Sequence, residues 1–270
     1  MNIHPTAIVS KEAEIADDVV VGPYTIIAGG TRIGRGTVIG AHVNIGEDTI
    51  IGEECELFQG AIVGNAPQDK KYRGEKSQTF IGNRNIIREY ATINKGTAGG
   101  GGKTVLGDGN LIMCYVHIAH DCIIGDRNVL TSFTGLAGHI YIENEVVLAG
   151  MVGIHHFVRV GEMAFVGGLS KVTQDVPPYV MVDGNPIKYR GLNLVGLRRN
   201  KVSPGAIAAL KEAYRVLIIS KEGNLRDVLS SFKESEECSF PEVRKLVAFI
   251  EERADNWQGR YRENLRNDKR

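Results

Sequence analysis

Five of the seven histidines in this 270-residue chain fall between residues 117 and 156: His117, His120, His139, His155 and His156. Asp121 follows His120, and Gly138 precedes His139. Imidazoles beside a carboxylate support more than one chemistry. A neutral histidine, held in one tautomer by a carboxylate or a carbonyl, can take the proton of an attacking hydroxyl. A glycine N–H such as that of Gly138 can then face the oxyanion of a tetrahedral intermediate. Three histidines can instead ligate zinc. The plainest possibility is a set of solvated surface residues without a shared task.

What gathers these residues is a repeat. Every sixth position from Ile3 is aliphatic through Val63: Ile3, Val9, Ile15, Val21, Ile27, Ile33, Ile39, Ile45, Ile51, Leu57, Val63. The pattern returns at Ile81, Ile87 and Ile93, and runs again from Leu106 to Val172. Four residues after each aliphatic position stands a small or β-branched one, as in Ala7, Val19, Thr25, Thr31, Thr37, Val43 and Cys55. A helix of 3.6 residues per turn cannot keep a six-residue stripe on one face. A short strand with two inward residues, followed by a corner, can. Three such strands close a coil of 18 residues, and coils stack at the parallel ladder spacing of about 4.8 Å. The expected fold is mainly β: a parallel β-helix of hexapeptide repeats, similar to the known left-handed type, from which the hand is taken.

Residues 18 apart then lie in one column. His120 falls under Gly138 and Gly138 under His156, while Asp121 falls under His139. The histidines collect on one wall. Cys55 and Cys122 occupy the inward column of small residues, where a thiol is filler, and no serine or cysteine nucleophile stands out. Direct attack of an acceptor on a thioester is the economical mechanism.

Two interruptions break the pattern, near 64–79 and 94–105, and both read as loops thrown out from the coils, where a solenoid carries function. The first holds Gln68, Asp69, Lys71 and Tyr72. The repeat is expected to end near Gln174-Asp175-Val176-Pro177-Pro178, because two prolines cannot feed a ladder. Beyond it Ser203-Pro204 offers a helix start, with helical stripes at Ile207/Leu210/Tyr214, Leu225/Leu229/Phe232 and Val243/Leu246/Ile250. The organisation expected is a β-helix over 1–190 and a small C-terminal α-helical domain over 191–270.

Formal net charge is zero, with 32 basic and 32 acidic residues, so nothing global argues for nucleic acid or an anionic membrane. Residues 184–211 nevertheless hold six basic side chains and no acidic one, a stretch suited to phosphate or an acidic protein. No signal-peptide pattern opens the chain, and no apolar run approaches the roughly 18 residues that span a bilayer. The four cysteines show neither metal-type pairing nor disulfide density, so a cytoplasmic protein with reduced thiols and no integral membrane association is expected.

Four segments carry a resemblance: His117-Ile118-Ala119-His120-Asp121-Cys122, Leu136-Ala137-Gly138-His139, Gln68-Asp69-Lys70-Lys71-Tyr72 and Gln174-Asp175-Val176-Pro177-Pro178-Tyr179. Over essentially its whole length the chain resembles the UDP-N-acetylglucosamine O-acyltransferases, which open lipid A biosynthesis. The resemblance implies a homotrimer that moves a 3-hydroxyacyl group from acyl carrier protein to the glucosamine 3-position of UDP-N-acetylglucosamine, with no cofactor and no metal. It makes His120 the general base, Asp121 the residue orienting its imidazole and Gly138 the oxyanion donor. His117, His139, His155 and His156 would meet the sugar nucleotide. So would Gln68, Asp69 and Lys71, reaching across a subunit boundary. Asn193 and Arg199 match nucleotide- and phosphate-contacting positions, and Gly168 a position that limits acyl chain length. His156 stands where glutamine is expected, Val195 where some relatives carry a carboxylate, and Pro186 where a histidine is expected. These departures keep a 3-amino sugar open as the acceptor. Three further functions stay in competition on the residues alone: a coenzyme A-dependent acetyltransferase, the N-acyltransferase of the same pathway and a non-catalytic scaffold.

Overall fold

The computed structural model describes residues 2–220, 223–254 and 259. Residues 221–222, 255–258 and 260–270 of the expected helical part lie outside the described residues. Each hexapeptide forms a two-residue strand and a two-residue turn, as in Val20–Val21 followed by Ile26–Ile27. The second turn residue lies in the left-handed region even when it is tyrosine or phenylalanine, as at Tyr115 (φ 60°) and Phe133 (φ 62°). A corner that tight forces the conformation on whatever residue occupies it. Among the described residues the strands form three sheets, parallel throughout except for the last strand of the first. Eleven run from Asn2–Ile3 to Ile187–Leu192, nine from Ile8–Val9 to Lys171–Val172, and eight from Glu14–Ile15 to Arg159–Val160.

The ladders step by one coil, for example Asn2↔Val20↔Val38↔Glu56. Every aliphatic residue of the six-residue pattern from Val21 to Val172 is no more than 3% exposed. Burying each contributes about 1.5–3 kcal/mol. Ile3 is 36% exposed because no coil lies beneath it. Inward Thr25 and Thr37 avoid a buried, unpaired hydroxyl by donating to the corner carbonyls of Gly40 (2.7 Å) and Gly52 (3.0 Å).

Both interruptions are loops that leave the coils between a strand of the second sheet and one of the third. Glu56 pairs with Ile86, and Ile86 with Leu111, steps of 30 and 25 in place of 18. The first insertion is therefore a multiple of six and keeps the frame, whereas the second shifts it by one residue. Each loop is flanked by lengthened strands, Ile62–Asn65 and Gln78–Ile81 around the first, Thr92–Asn94 and Lys103–Leu106 around the second.

The expected stop at Pro177-Pro178 needs correction. Val180–Gly184 pairs in parallel with Phe165–Val166 and returns as the antiparallel strand Ile187–Leu192. The prolines do not interrupt it, because Pro177 sits in a connector and Pro178 in a corner turn, where no ladder N–H is required.

Helix α1 (Leu194–Arg199) follows directly, capped by Asn193. Helix α2 (Pro204–Tyr214) starts where Ser203 Oγ accepts from the Ala206 N–H, and loosens into a π-turn over Arg215–Ile219. Helices α3 (Leu225–Lys233) and α4 (Pro241–Ala254) complete the described part. Helix α4 docks on the prism wall through charge. Lys245 bridges Glu143 (3.1 Å) and Glu162 (2.7 Å), and the Arg159 guanidinium lies over the Phe249 ring at 4.8 Å.

Candidate active site

The corner joining the second sheet to the third brings the histidines together. His117 lies in the second sheet, in register with Gly135 and Gly153 on the coils above. His120 and Asp121 form the turn that follows, with Asp121 at φ 61°. One coil on, Gly138 abuts His120 so closely that a Cβ there would meet its Cε1 at 2.5 Å. Glycine at that position is what lets the imidazole lie across the stack. His139 sits above Asp121, 3.7 Å from its Oδ2, and Phe157 stacks on His139 with ring centres 4.6 Å apart.

His120 Nδ1 is 2.7 Å from Asp121 Oδ2, and His120 Nε2 faces Asp69 Oδ2 at 3.9 Å. His120 is 6% and Asp121 5% exposed. Burial works against a charge on Asp121. Hydrogen bonds from His120 and from the hydroxyl and N–H of Thr97, with His139 nearby, nevertheless hold its carboxyl below the usual carboxylate range. Asp121 is thus an anion, and the 2.7 Å contact sets a hydrogen of His120 Nδ1 between ring and carboxylate. Burial first, and then the neighbouring His120, push His117 below an ordinary histidine, so it stays neutral at neutral pH. Thr92 Oγ1 fixes its ring from the far side, 2.7 Å from Nδ1.

The Nε2 edge opens on a cavity of about 510 Å³ whose lining includes Gln68, His117, His120, Gly138, His155, His156 and Lys171. His120, Asp121 and His139 place three potential metal-ligand atoms within 4.8 Å of one another. Both Asp121 oxygens already accept hydrogen bonds, however, and this donor set suits an oriented imidazole better than a cation. Cys122, which follows Asp121, is not an activated nucleophile. Burial raises Cys122 to about 12, and its Sγ donates to the Ala137 carbonyl.

Comparison with known proteins supplies the family. The family described as "Udp N-acetylglucosamine O-acyltransferase; Domain 2" matches residues 175–258, and that described as "Bacterial transferase hexapeptide (six repeats)" matches 12–47 and 103–138. The acyl-[acyl-carrier-protein]--UDP-N-acetylglucosamine O-acyltransferase of Thiobacillus denitrificans is 44% identical over 248 residues, covering 92% of this chain and 95% of that one. The chain belongs to the UDP-N-acetylglucosamine O-acyltransferase family. The relative from Verminephrobacter eiseniae, under the same name, is 47% identical over 216 residues, 80% of this chain and 82% of its own. The crystal structure of UDP-N-acetylglucosamine O-acyltransferase from Moraxella catarrhalis superposes with a TM-score of 0.89 at 44% identity, covering 93% of this chain and 97% of that one. The fold is therefore the left-handed parallel β-helix of hexapeptide repeats with a small helical C-terminal part.

In this O-acyltransferase family member the expected site residues do not all share one place. Gln68, His117, His120, Gly138, His155 and His156 line one cavity, and Asp121 backs it. Asp69 Oδ2 lies 3.9 Å from His120 Nε2 of the same chain. Lys71 is exposed on the same loop, with its N–H donating to Asp69 Oδ1 at 2.9 Å. The His139 ring packs between Asp121, His120 and Phe157. Asn193 is buried, with Oδ1 accepting from the Gly196 N–H at the start of α1 and Nδ2 donating to the Met163 carbonyl. Arg199 is exposed in the last turn of α1 and outside the cavity lining. Gly168 lies at the opposite corner of the second sheet, where a Cβ would meet the Gly150 carbonyl oxygen at 3.2 Å.

The repeat did not reveal Thr97, Thr104, Thr92 and Lys171. The first two lie in or beside an insertion, and their only signal in the sequence is that threonines flank the glycines 99–102.

Proposed function

We propose that this protein transfers a 3-hydroxyacyl chain from acyl carrier protein to the glucosamine 3-hydroxyl of UDP-N-acetylglucosamine, the first step of lipid A biosynthesis, as a cytoplasmic homotrimer. The observation that carries the proposal is His120, with Nδ1 on a buried carboxylate and Nε2 at the edge of an open cavity. As the 3-hydroxyl oxygen attacks the thioester carbonyl, Nε2 takes its proton. The Gly138 N–H meets the oxyanion of the tetrahedral intermediate. Collapse breaks the carbon–sulfur bond, and the departing thiolate of the carrier takes the proton from the imidazolium. The ester forms and His120 is neutral again.

His117, His155, His156, Gln68, Asp69 and Lys71 hold the sugar nucleotide, and Arg199 suits its phosphates because a guanidinium fork makes paired hydrogen bonds. The acyl chain runs toward the Gly168 corner, flanked by exposed Met151 and Leu169. Acyl carrier protein docks on the basic stretch, where Lys188, Arg190, Arg198, Arg199, Lys201 and Lys211 are all exposed. Among the described residues no helix is long and apolar enough to cross a membrane.

His156 in the cavity, where glutamine is expected, favours a second reading in which a 3-amino sugar is acylated to an amide. Mass spectrometry after incubation with a ladder of 3-hydroxyacyl carriers and either UDP-sugar decides between them. A base-labile product from UDP-N-acetylglucosamine supports the ester. A base-stable product formed only from the amino sugar supports the amide, and turnover with acetyl-coenzyme A alone contradicts both.

A further inference from the structure

The Asp121 carboxylate does not point into solvent. It points into the second loop, whose 95–102 segment folds over it. The Thr97 N–H donates to Oδ1 at 2.7 Å, and the Thr97 hydroxyl to Oδ2 at 2.6 Å. Asp121 in turn donates its own N–H to Thr104 Oγ1 at 2.8 Å. Gly100 closes over the same group, and a Cβ on it would collide with Asp121 Cγ, so only glycine lets the loop approach. The loop is braced from within by the Gly102 N–H on the Thr97 carbonyl (2.8 Å). It is braced from outside by the Ala98 N–H on Glu75 of the first loop (3.3 Å). Thr97 is 3% exposed.

With the His120 Nδ1–H, the carboxylate receives three hydrogens. Two of them come from a single residue and reach both oxygens, so they fix the rotation of the carboxylate as well as its charge. Oδ2 then meets His120 Nδ1 at 2.7 Å, with His139 Nε2 farther off at 3.7 Å. Without the hydroxyl, Asp121 can turn, and the imidazole can then take the other tautomer, which places a hydrogen where a base needs a lone pair.

We propose that Thr97 is a positioning residue for the acyl transfer, acting through Asp121 to hold His120 with its hydrogen on Nδ1. This rests on reading His120 as the base. Thr97→Val keeps shape and N–H but removes the hydroxyl. It is expected to lower kcat about tenfold or more while KM for UDP-N-acetylglucosamine stays within about twofold, as loss of a hydrogen bond to a charged group would. Thr97→Ser should recover kcat to within about threefold of native, since it restores the hydroxyl. The 15N spectrum of histidine-labelled native protein should show neutral His120 with hydrogen on Nδ1, and Thr97→Val should show both tautomers. Should Thr97→Val not fold, Gly100→Ala takes its place, because its Cβ must displace the carboxylate and move both kcat and the tautomer signal.

A native His120 with hydrogen on Nε2 overturns the proposal. So does a variant with native kcat and an unmoved tautomer, or a serine variant as impaired as the valine one. If His120→Ala itself keeps its rate, the base assignment fails. If His120→Ala is inactive while Thr97→Val is native-like, only the role of Thr97 is lost.

Discussion

Two corners of the prism carry the same backbone and the same kind of side-chain pair, with opposite results. Asp121 and His139 occupy left-handed turn positions (φ 61° and 63°) one coil apart, and so do Arg127 and Glu145 (φ 53° and 60°) at the next corner along the chain. Each pair sets an acid against a base across one coil. Arg127 and Glu145 make the shorter contact, 2.5 Å against 3.7 Å. Their side chains are nevertheless 61% and 18% exposed, while those of Asp121 and His139 are 1% and 9% exposed. The difference comes from the roof. The 95–102 loop covers Asp121, and the first loop brings Asp69 to His120. Solvent screens the open pair, so its worth is about 0–1 kcal/mol. Under the roof, fixed donors act on the carboxylate with little competition from water. The coil supplies position, and the insertions convert one corner into a site.

That contrast can be broken from either side. Asp121→Ala strands the His120 Nδ1–H and both Thr97 donors. It should lower kcat by about 10²- to 10⁴-fold, as loss of an orienting carboxylate does, in a steady-state assay of soluble protein. A kcat within tenfold of native would show that the covered corner works without its acid. A pH series sharpens the comparison. The Asp121 carboxyl is held below its ordinary 3.8, so its stabilising contribution is complete above about that value and is lost as pH falls through the lower folded value. The unfolding free energy of native protein minus that of Asp121→Asn should therefore be flat from neutral pH to about 4 and shrink below it. A difference that grows on acidification would contradict the hydrogen-bond pattern. The smallest effect belongs to the open corner. Arg127→Ala should shift stability by no more than about 1 kcal/mol and leave kcat within about twofold, measured by chemical denaturation and the same assay.

The six-residue pattern made the coil legible because burial on every sixth residue has no other economical solution. It also made the histidine column legible, since Asp121 and His139 are 18 residues apart and each coil repeats the last. Contacts that leave the pattern were hidden. Thr97 meets Asp121 across 24 residues and Asp69 faces His120 across 51, separations set by loop geometry that periodicity does not encode. The capping of helix α1 by Asn193 was equally hidden, because periodicity does not mark where that short helix begins. Pro177-Pro178 read as a terminator because its place in a connector and corner, rather than in the ladder, is visible only once the coil is built.

The proposed reaction depends on proton transfer to one imidazole edge. Its most direct test is the initial rate of product formation by His120→Ala, assayed with 3-hydroxyacyl carrier protein and UDP-N-acetylglucosamine, in protein that melts as native protein does. A fall of about 10²- to 10⁴-fold, the usual contribution of a positioned general base, is the predicted result. Turnover close to native would mean that the acceptor loses its proton elsewhere, and the roofed corner would then have no part in the reaction.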